Sequence, residues 1–220
     1  MLLLATALLG CNITPLKNGT ETGAFVQLKD VFTSSFLGVA PDGTAVMIDA
    51  GLDAKAVKEN EALTELGLGP DDLAHIFLTH GHGDHLGGLE SFPNATVWAT
   101  EAEVDLVKDE GGRVDDLVAD GQIVDAGGWA VEVYAMPGHT PGSAAYLIDG
   151  VLFTGDAAIR LVDGTVATAP DRYDEDPDLA IASLCALAER LTPRAAEITD
   201  VTYAHSGPSD VATFLADACP

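Results

Sequence analysis

The sequence predicts an α+β protein in which β-sheets pack against one another and helices lie outside them. Short β-rich runs and helical stretches follow an order of strands then helix, twice over. Turn signals such as Asp149-Gly150, the pair that a tight hairpin requires, exclude a purely parallel sheet. The 220-residue chain is 47% hydrophobic and 20% charged, which suits one sizeable core and rules out a disordered acidic tail.

The elements follow in order. Met1 to Gly10 (MLLLATALLG) is apolar and far shorter than the roughly 20 residues that span a bilayer, so residues 1–10 read as a signal peptide. Leu8-Leu9-Gly10-Cys11 resembles the lipobox of bacterial lipoproteins, although Leu9 is bulky for its place and no Lys or Arg precedes it. The resemblance implies lipidation at Cys11 and an exported protein, periplasmic or anchored to the membrane. A buried first strand is the alternative. Residues 11–23 are polar, contain Pro15, Gly19 and Gly23, and read as a linker to a folded domain over 24–220.

Strands are expected at Ala24 to Leu28, Phe36 to Ala40 and Ala45 to Asp49, the last two joined by the Pro41-Asp42-Gly43 turn. A helix over 53–66 starts at Asp53 as N-cap and stops at Gly67. Ile76 to Thr79 is a short strand that runs into His80, and Ala95 to Ala99 is another. Thr100 with Glu103 has capping-box spacing for a following helix. Further strands fall at Gln122 to Val124, Ala130 to Ala135, Ala144 to Ile148 and Val151 to Thr154. The acidic loop Asp171 to Asp178 leads through Asp176 as N-cap and Pro177 at N1 into a helix striped by Ile181, Leu184, Cys185, Ala188 and Leu191. A strand over Glu197 to Ala204 and a helix near Ser209 to Ala218 close the chain. On that stripe Cys185 is expected as a buried free thiol, though an oxidising compartment would permit a bridge to Cys219.

Against 10 Lys and Arg stand 35 Asp and Glu, a formal charge of −25. That balance excludes a nucleic-acid partner and disfavours polyanionic substrates, because phosphate binding needs clustered cations. A small-molecule substrate is the expected partner.

The chemistry concentrates in Leu78-Thr79-His80-Gly81-His82-Gly83-Asp84-His85. If the strand continues through His80 and His82, their imidazoles share one face and reach one ion. Gly81 and Gly83 let the backbone curl so that Asp84 and His85 turn toward a second ion. A closed structural zinc site typically includes cysteine, and this run has none. His139 in Gly138-His139-Thr140-Pro141-Gly142, Asp156 in Thr154-Gly155-Asp156 and His205 in Ala204-His205-Ser206-Gly207 also stand at strand ends beside glycine. Five of the six histidines belong to these segments. His75, between a polar turn and a strand, reads as structural.

This set of motifs, in this order, resembles the metallo-β-lactamase fold superfamily in its dinuclear hydrolase branch, over about Ala24 to Ala218 and including the turn Asp49-Ala50-Gly51. The resemblance implies an αββα sandwich: two mixed β-sheets packed face to face, helices on the outer faces, and a site at one edge. It implies that His80, His82 and His139 bind a first divalent metal ion, that Asp84, His85 and His205 bind a second, and that Asp156 bridges them. Imidazole and carboxylate donors suit Zn²⁺, with Fe or Mn as alternatives. A bridging hydroxide would then attack the substrate, oriented by Asp84 and Asp156, which also take up its proton. No Gly-x-Ser-x-Gly elbow offers a serine nucleophile instead.

The expected activity is hydrolysis of an ester-type bond, thioester or lactone. Glyoxalase II-type thioesterases share the Gly-His-Thr-Pro-Gly and Thr-Gly-Asp segments but carry a further C-terminal helical domain, whereas 15 residues follow His205 here. Alternatives on the same centre are a β-lactamase, a phosphodiesterase or a di-iron redox protein. Loops over the metals are expected at Phe32 to Phe36 and Arg160 to Asp178, where Arg160, Arg172 and Tyr173 are candidate substrate contacts.

Overall fold

A computed structural model describes residues 13–219. The signal-peptide and Cys11 lipidation expectations lie outside the described residues. Two mixed sheets and their helices form the expected αββα sandwich. The first sheet orders β1 (Thr20–Thr22), β2 (Phe25–Asp30), β3 (Thr33–Val39), β4 (Ala45–Ile48), β5 (Leu73–Phe77), β6 (Thr96–Thr100) and β7 (Asp116–Val118) side by side. It is antiparallel up to β4 and parallel from β4 to β7.

The second sheet is built around the meander β8 (Ile123–Ala126), β9 (Trp129–Ala135), β10 (Ala144–Ile148) and β11 (Val151–Phe153). Beyond a two-stranded ribbon, β12 (Ile159–Arg160) with β13 (Val166–Ala167), the strand β14 (Asp200–Thr202) pairs parallel to β11. Asp149 and Gly150 both take positive φ, 47° and 81°, as the tight turn between β10 and β11 demands.

Alternation along the strands makes the layers. Val46 and Ile48 of β4 face the second sheet while Met47 faces outward, and Tyr146 and Ile148 of β10 face inward while Leu147 faces out. The central layer joins Phe25, Phe36 and Phe77 to Val131, Tyr146 and Phe153. On the outer face of the first sheet, α1 (Val57–Glu65), α2 (Gly83–Leu86) and α3 (Val104–Asp109) contribute Leu63, Leu86 and Val107. On the outer face of the second, α4 (Pro177–Leu191) and α5 (Val211–Asp217) contribute Leu184, Leu187, Leu191 and Phe214.

Several local expectations change in the fold. Asp53 still caps a turn, accepting from the amides of Lys55 and Val57, but α1 begins only after Ala56. Asp176 caps α4 by accepting from the Leu179 amide, with Pro177 at N1, as expected. The capping box at Thr100 does not form: its hydroxyl donates to the Gly142 carbonyl, and Glu103 is used elsewhere.

Nor is the stretch 11–23 a free linker where it is described. Ile13 bridges Leu161, the Thr14 amide and hydroxyl donate to the carbonyls of Arg160 and Leu161, and Thr20–Thr22 pairs with β2. All but the Thr14 hydroxyl bond are backbone-mediated, so polar composition could not announce them.

Cys185 is not a buried thiol but is bonded to Cys219, 34 residues on. The helix is rotated from the expected stripe: Ala180, Leu184, Leu187, Ala188 and Leu191 are buried, while Ile181 is exposed and Cys185 half-exposed. Periodicity identifies a helix face but not a partner brought back by α5. The bridge clamps the C-terminal end to α4. Replacing both cysteines by serine is expected to cost about 2–4 kcal/mol. A melting temperature lower by about 5–15 °C, read by circular dichroism, would show it.

Glu59 of α1 is buried and accepts from the Ser35 hydroxyl at 2.7 Å. Burial, with Asp30 and Asp53 nearby, raises its pKa despite that bond. A carboxyl raised on folding favours the fold below its unfolded pKa of about 4.3, and that advantage is lost as pH rises through the folded value. Glu59→Gln, which keeps an oxygen for Ser35, is therefore expected to be more stable than the parent at pH 8. Urea titrations at pH 8 and pH 4 should show the gain only at the higher pH.

Candidate metal centre

β5 delivers the chain at Thr79 and His80, the backbone stays extended at His82 (φ −71°, ψ 146°), and the single turn α2 then swings Asp84 and His85 back. Strand, turn and helix convert one six-residue run into two donor directions. His139 enters from the loop between β9 and β10, Asp156 from the loop after β11, and His205 from the loop after β14. All seven expected donors meet at one edge of the sandwich.

They form two adjoining clusters. His80 Nε2 lies 2.9 Å from His82 Nδ1, which lies 3.1 Å from His139 Nε2. His205 Nε2 is 3.4 Å from Asp84 Oδ2 and 3.0 Å from Asp156 Oδ2, while His85 Nε2 is 3.7 Å from Asp84 Oδ2 and 3.4 Å from Asp156 Oδ1. Asp156 Oδ2 also comes within 3.5 Å of His139 Nε2, so this carboxylate stands between the clusters. Donor atoms within 4.8 Å of one another group as His80-His82-His139, Asp84-His85-His205 and His80-His85-Asp156.

The outer nitrogens decide what the inner ones can do. His85 Nδ1 is 2.8 Å from Asp49 Oδ2, His139 Nδ1 is 2.9 Å from Asp174 Oδ1, and His205 Nδ1 is 2.8 Å from the Phe32 carbonyl. Carboxylates and carbonyls only accept, so each Nδ1 carries the hydrogen, and each ring when neutral turns a bare Nε2 inward. Thr79 donates its hydroxyl proton to Asp49 Oδ2, leaving its oxygen to accept from His80 Nδ1 at 3.2 Å.

These inward nitrogens face one another and face carboxylate oxygens. His85 Nε2 and Asp156 Oδ1 are buried without any hydrogen-bond partner. Asp49, Glu103, Asp156 and Asp174 have buried carboxylates, and among the described residues none of them pairs with Lys or Arg.

Such a concentration of inward nitrogens and buried negative charge calls for positive charge in the site, which divalent cations would supply. The imidazoles respond to the same field. Burial opposes charge on His85, but Asp156 and Asp49 outweigh it and hold its pKa well above the ordinary range, and Asp156 likewise raises His205 against burial. Burial and the neighbouring rings hold His80 well below it and lower His82. For Asp156, burial opposes ionisation, but the His205 and His85 imidazoles overcome it and keep the carboxyl ionised to low pH. The donor set thus fits divalent cations.

Three carboxylates that the sequence reading did not single out as site residues hold this arrangement. Asp49 accepts from the Thr79 amide and hydroxyl and from His85. Asp174 orients His139 from inside the acidic loop, and the amides of Glu175 and Asp176 donate to the His139 and Gly138 carbonyls. Glu103 joins the two histidine loops: Oε2 accepts from the Gly81 amide at 2.8 Å, and Oε1 from the Gly142 amide at 2.7 Å and from the Thr140 hydroxyl. Gly81 and Gly142 permit this approach, since a Cβ at either would come within 2.9 Å of Glu103 atoms.

A 640 Å³ cavity opens over the donors, touching His82, Asp84, His139, Asp156 and His205. Arg172 and Tyr173 line it, as does Phe32, but the rest of the expected Phe32 to Phe36 loop is not a loop: Thr33 to Phe36 pair within β3 and stay buried in the sheet. Arg160 does not line it, contrary to expectation: its guanidinium donates to the Pro208 carbonyl and its amide to Ser206 Oγ, bracing the loop that carries His205. Lys29 and the 13–16 segment line it and were not anticipated. His75 accepts from the Trp98 indole and packs between strands, away from the site.

An αββα sandwich with a three-histidine cluster beside a cluster of one aspartate and two histidines, both at one edge and joined by a second aspartate, defines a metal-binding protein of a particular architecture. The Metallo-beta-lactamase superfamily family model matches residues 28–193, and the chain belongs to that superfamily. Among curated proteins, it is 36% identical over 136 residues to a hydroxyacylglutathione hydrolase of Salmonella gallinarum, covering 56% of this chain and 48% of that protein. It is 31% identical over 118 residues to metallo-beta-lactamase domain-containing protein 1 of Xenopus laevis, covering 54% of this chain and 45% of that protein. The chain thus spans about half the length of the curated relatives it matches.

Among solved structures, ETHE1 from Myxococcus xanthus superposes with a TM-score of 0.65 at 28% identity, over 86% of this chain and 80% of that one. A B3 metallo-beta-lactamase with an active-site glutamic acid reaches 0.68 at 19% identity, over 97% and 91%, and supports the fold.

Proposed function

We propose that the protein is a metal-dependent hydrolase that cleaves an ester-type bond, thioester or lactone, at a dinuclear zinc centre. The observation that carries this is the pair of donor clusters sharing the Asp156 carboxylate below an open cavity. His80, His82 and His139 would hold one ion, Asp84, His85 and His205 the other, and Asp156 both. When bound, such a pair supplies Lewis acidity and lowers the pKa of a coordinated water from about 15.7 to about 7.

The chain's own residues do the rest. Asp49, Asp174, the Phe32 carbonyl and Thr79 keep the Nε2 lone pairs of His85, His139, His205 and His80 turned inward. Asp84 and Asp156, which both line the cavity, orient the attacking water and accept its proton. The water oxygen bonds to the acyl carbon, the carbon–oxygen or carbon–sulfur bond breaks, and the released alkoxide or thiolate is protonated. The similarity to hydroxyacylglutathione hydrolase supports an acyl thioester or a related ester as the class of substrate.

Four substrates assayed in parallel test this reading: a lactone, an acyl thioester, a chromogenic β-lactam and a bis-aryl phosphodiester. Zinc-dependent turnover of the first or second is expected. Turnover of only the third or fourth would replace the ester reading with a β-lactamase or phosphodiesterase one.

For location, we propose an exported protein anchored through a lipid on Cys11. The Cys185–Cys219 bridge supports export, because disulfides persist in oxidising compartments. Radiolabelled palmitate should enter the parent and not Cys11→Ser; equal labelling would overturn the anchor.

A further inference from the structure

The cavity has a composition unlike that of the protein around it. Apart from the proposed metal ligands, its lining contains two cations, Lys29 and Arg172, and no acidic residue, in a chain of 10 cations and 35 anions. Neither cation forms an ion pair with a described residue. The Arg172 guanidinium is held 4.3 Å above the Tyr173 ring centroid and donates once, to the Tyr173 hydroxyl, which leaves most of its donors free. Asp174, two residues on, orients His139, so the guanidinium is carried by a segment fixed to the metal centre.

Thr14 and Tyr173 aside, the rest of the wall is hydrocarbon. Ile13 and Leu16 come from the 13–16 strap, Val31 and Phe32 from the β2–β3 turn, and Ile159 and Pro170 from the stretch after Asp156. The strap is part of the cavity by construction, since Thr14 is bonded to Arg160 and Leu161 on one side and its carbonyl accepts from the Gly207 amide on the other. Phe32 stacks on the His205 ring at 5.8 Å between centroids, which continues the apolar wall to the edge of the metal site. A glutathionyl peptide would bring two carboxylates that these cations could meet, but also an ammonium group and two amides, for which the wall outside the metal donors offers no carboxylate and little polar surface.

We infer that the substrate is a lipophilic ester or thioester bearing one carboxylate, its hydrocarbon part lying on this wall and its carboxylate read by Lys29 and Arg172. This rests on the hydrolase reading above and narrows it. Apolar burial supplies chain-length dependence, and two unpaired cations supply charge selection.

The test uses the zinc-loaded full chain and five substrates: p-nitrophenyl butanoate, p-nitrophenyl octanoate, the mono-p-nitrophenyl ester of suberic acid, the methyl ester of that compound, and lactoylglutathione. Octanoate is expected to exceed butanoate in kcat/KM by about tenfold, and the free acid to exceed its methyl ester by about tenfold. In the double variant Lys29→Ala, Arg172→Ala the ratio of acid to methyl ester should fall close to one, and Lys29→Glu should push it below the parent's. Equal rates on the acid and its methyl ester, or lactoylglutathione as the best of the five, would overturn this inference alone. Absence of zinc-dependent turnover on all five would overturn the hydrolase reading and the inference with it.

Discussion

Asp156→Asn is expected to lower kcat by about a thousandfold or more and to reduce the bound metal from two ions per chain to one. A thousandfold corresponds to about 4 kcal/mol of lost transition-state stabilisation. The physical reason lies in where Asp156 stands. Its two oxygens face His85, His205 and His139 at 3.0–3.5 Å, so it is the only donor whose oxygens approach histidines of both proposed ligand sets. Asparagine keeps the volume and one oxygen but removes the negative charge that would offset the two proposed dications. Its amide nitrogen can donate to the bare His205 Nε2, so the apoprotein should fold as the parent does. Unchanged circular dichroism with one ion by mass spectrometry is the expected pair of results. Two ions retained with near-parental turnover would remove Asp156 from the bridging role.

Glu103→Ala should have the second-largest effect, and it acts without touching an ion. The side chain is buried and accepts from Gly81, Gly142 and Thr140, the loops that carry His80, His82 and His139. Removing it leaves buried donors unsatisfied, at about 1–3 kcal/mol for each that finds no water. It also frees the two histidine loops to move apart. Loss of such outer-shell support typically weakens metal binding by about 10–100-fold.

Competition with a fluorescent zinc chelator should show that loss, and the visible spectrum of the cobalt-loaded variant should show altered bands from the all-histidine cluster. Glu103→Gln, which keeps one accepting oxygen, should fall between the two. Parental zinc affinity and parental cobalt bands in Glu103→Ala would assign the carboxylate to packing alone.

The contrast between these two residues explains how much of the site was readable in advance. The seven donors are concentrated: four fall within six residues, and the rest sit at strand ends beside glycine, a pattern with few uses other than metal binding. The order of strands and helices and turns such as Asp149-Gly150 were enough to read sheets packed together with helices outside. The αββα layering came with the family resemblance, because Val46, Met47 and Ile48 are all apolar and their alternation between two cores shows only in the fold.

Residues that position the donors carry no such signal. Asp49 reaches His85 across 36 positions and Asp174 reaches His139 across 35, distances over which local patterns say nothing. Glu103 sat at capping-box spacing from Thr100 and was drawn to the metal loops, where buried amides offered it more than an exposed helix end. Asp174 was hidden inside an acidic run that looks like a solvated loop. The strap depends on hydrogen bonds from the Thr14 hydroxyl and amide to Leu161 and Arg160, some 147 positions away, and Lys29 faces the cavity from a paired strand.

The central claim is that these seven side chains hold two divalent ions. Metal content tests it most directly: the full chain is stripped with chelator, reconstituted with excess zinc, freed of unbound metal and weighed by native mass spectrometry. The predicted result is two zinc ions per chain, falling to one in Asp156→Asn. A parent chain that takes up no zinc under these conditions would contradict the account.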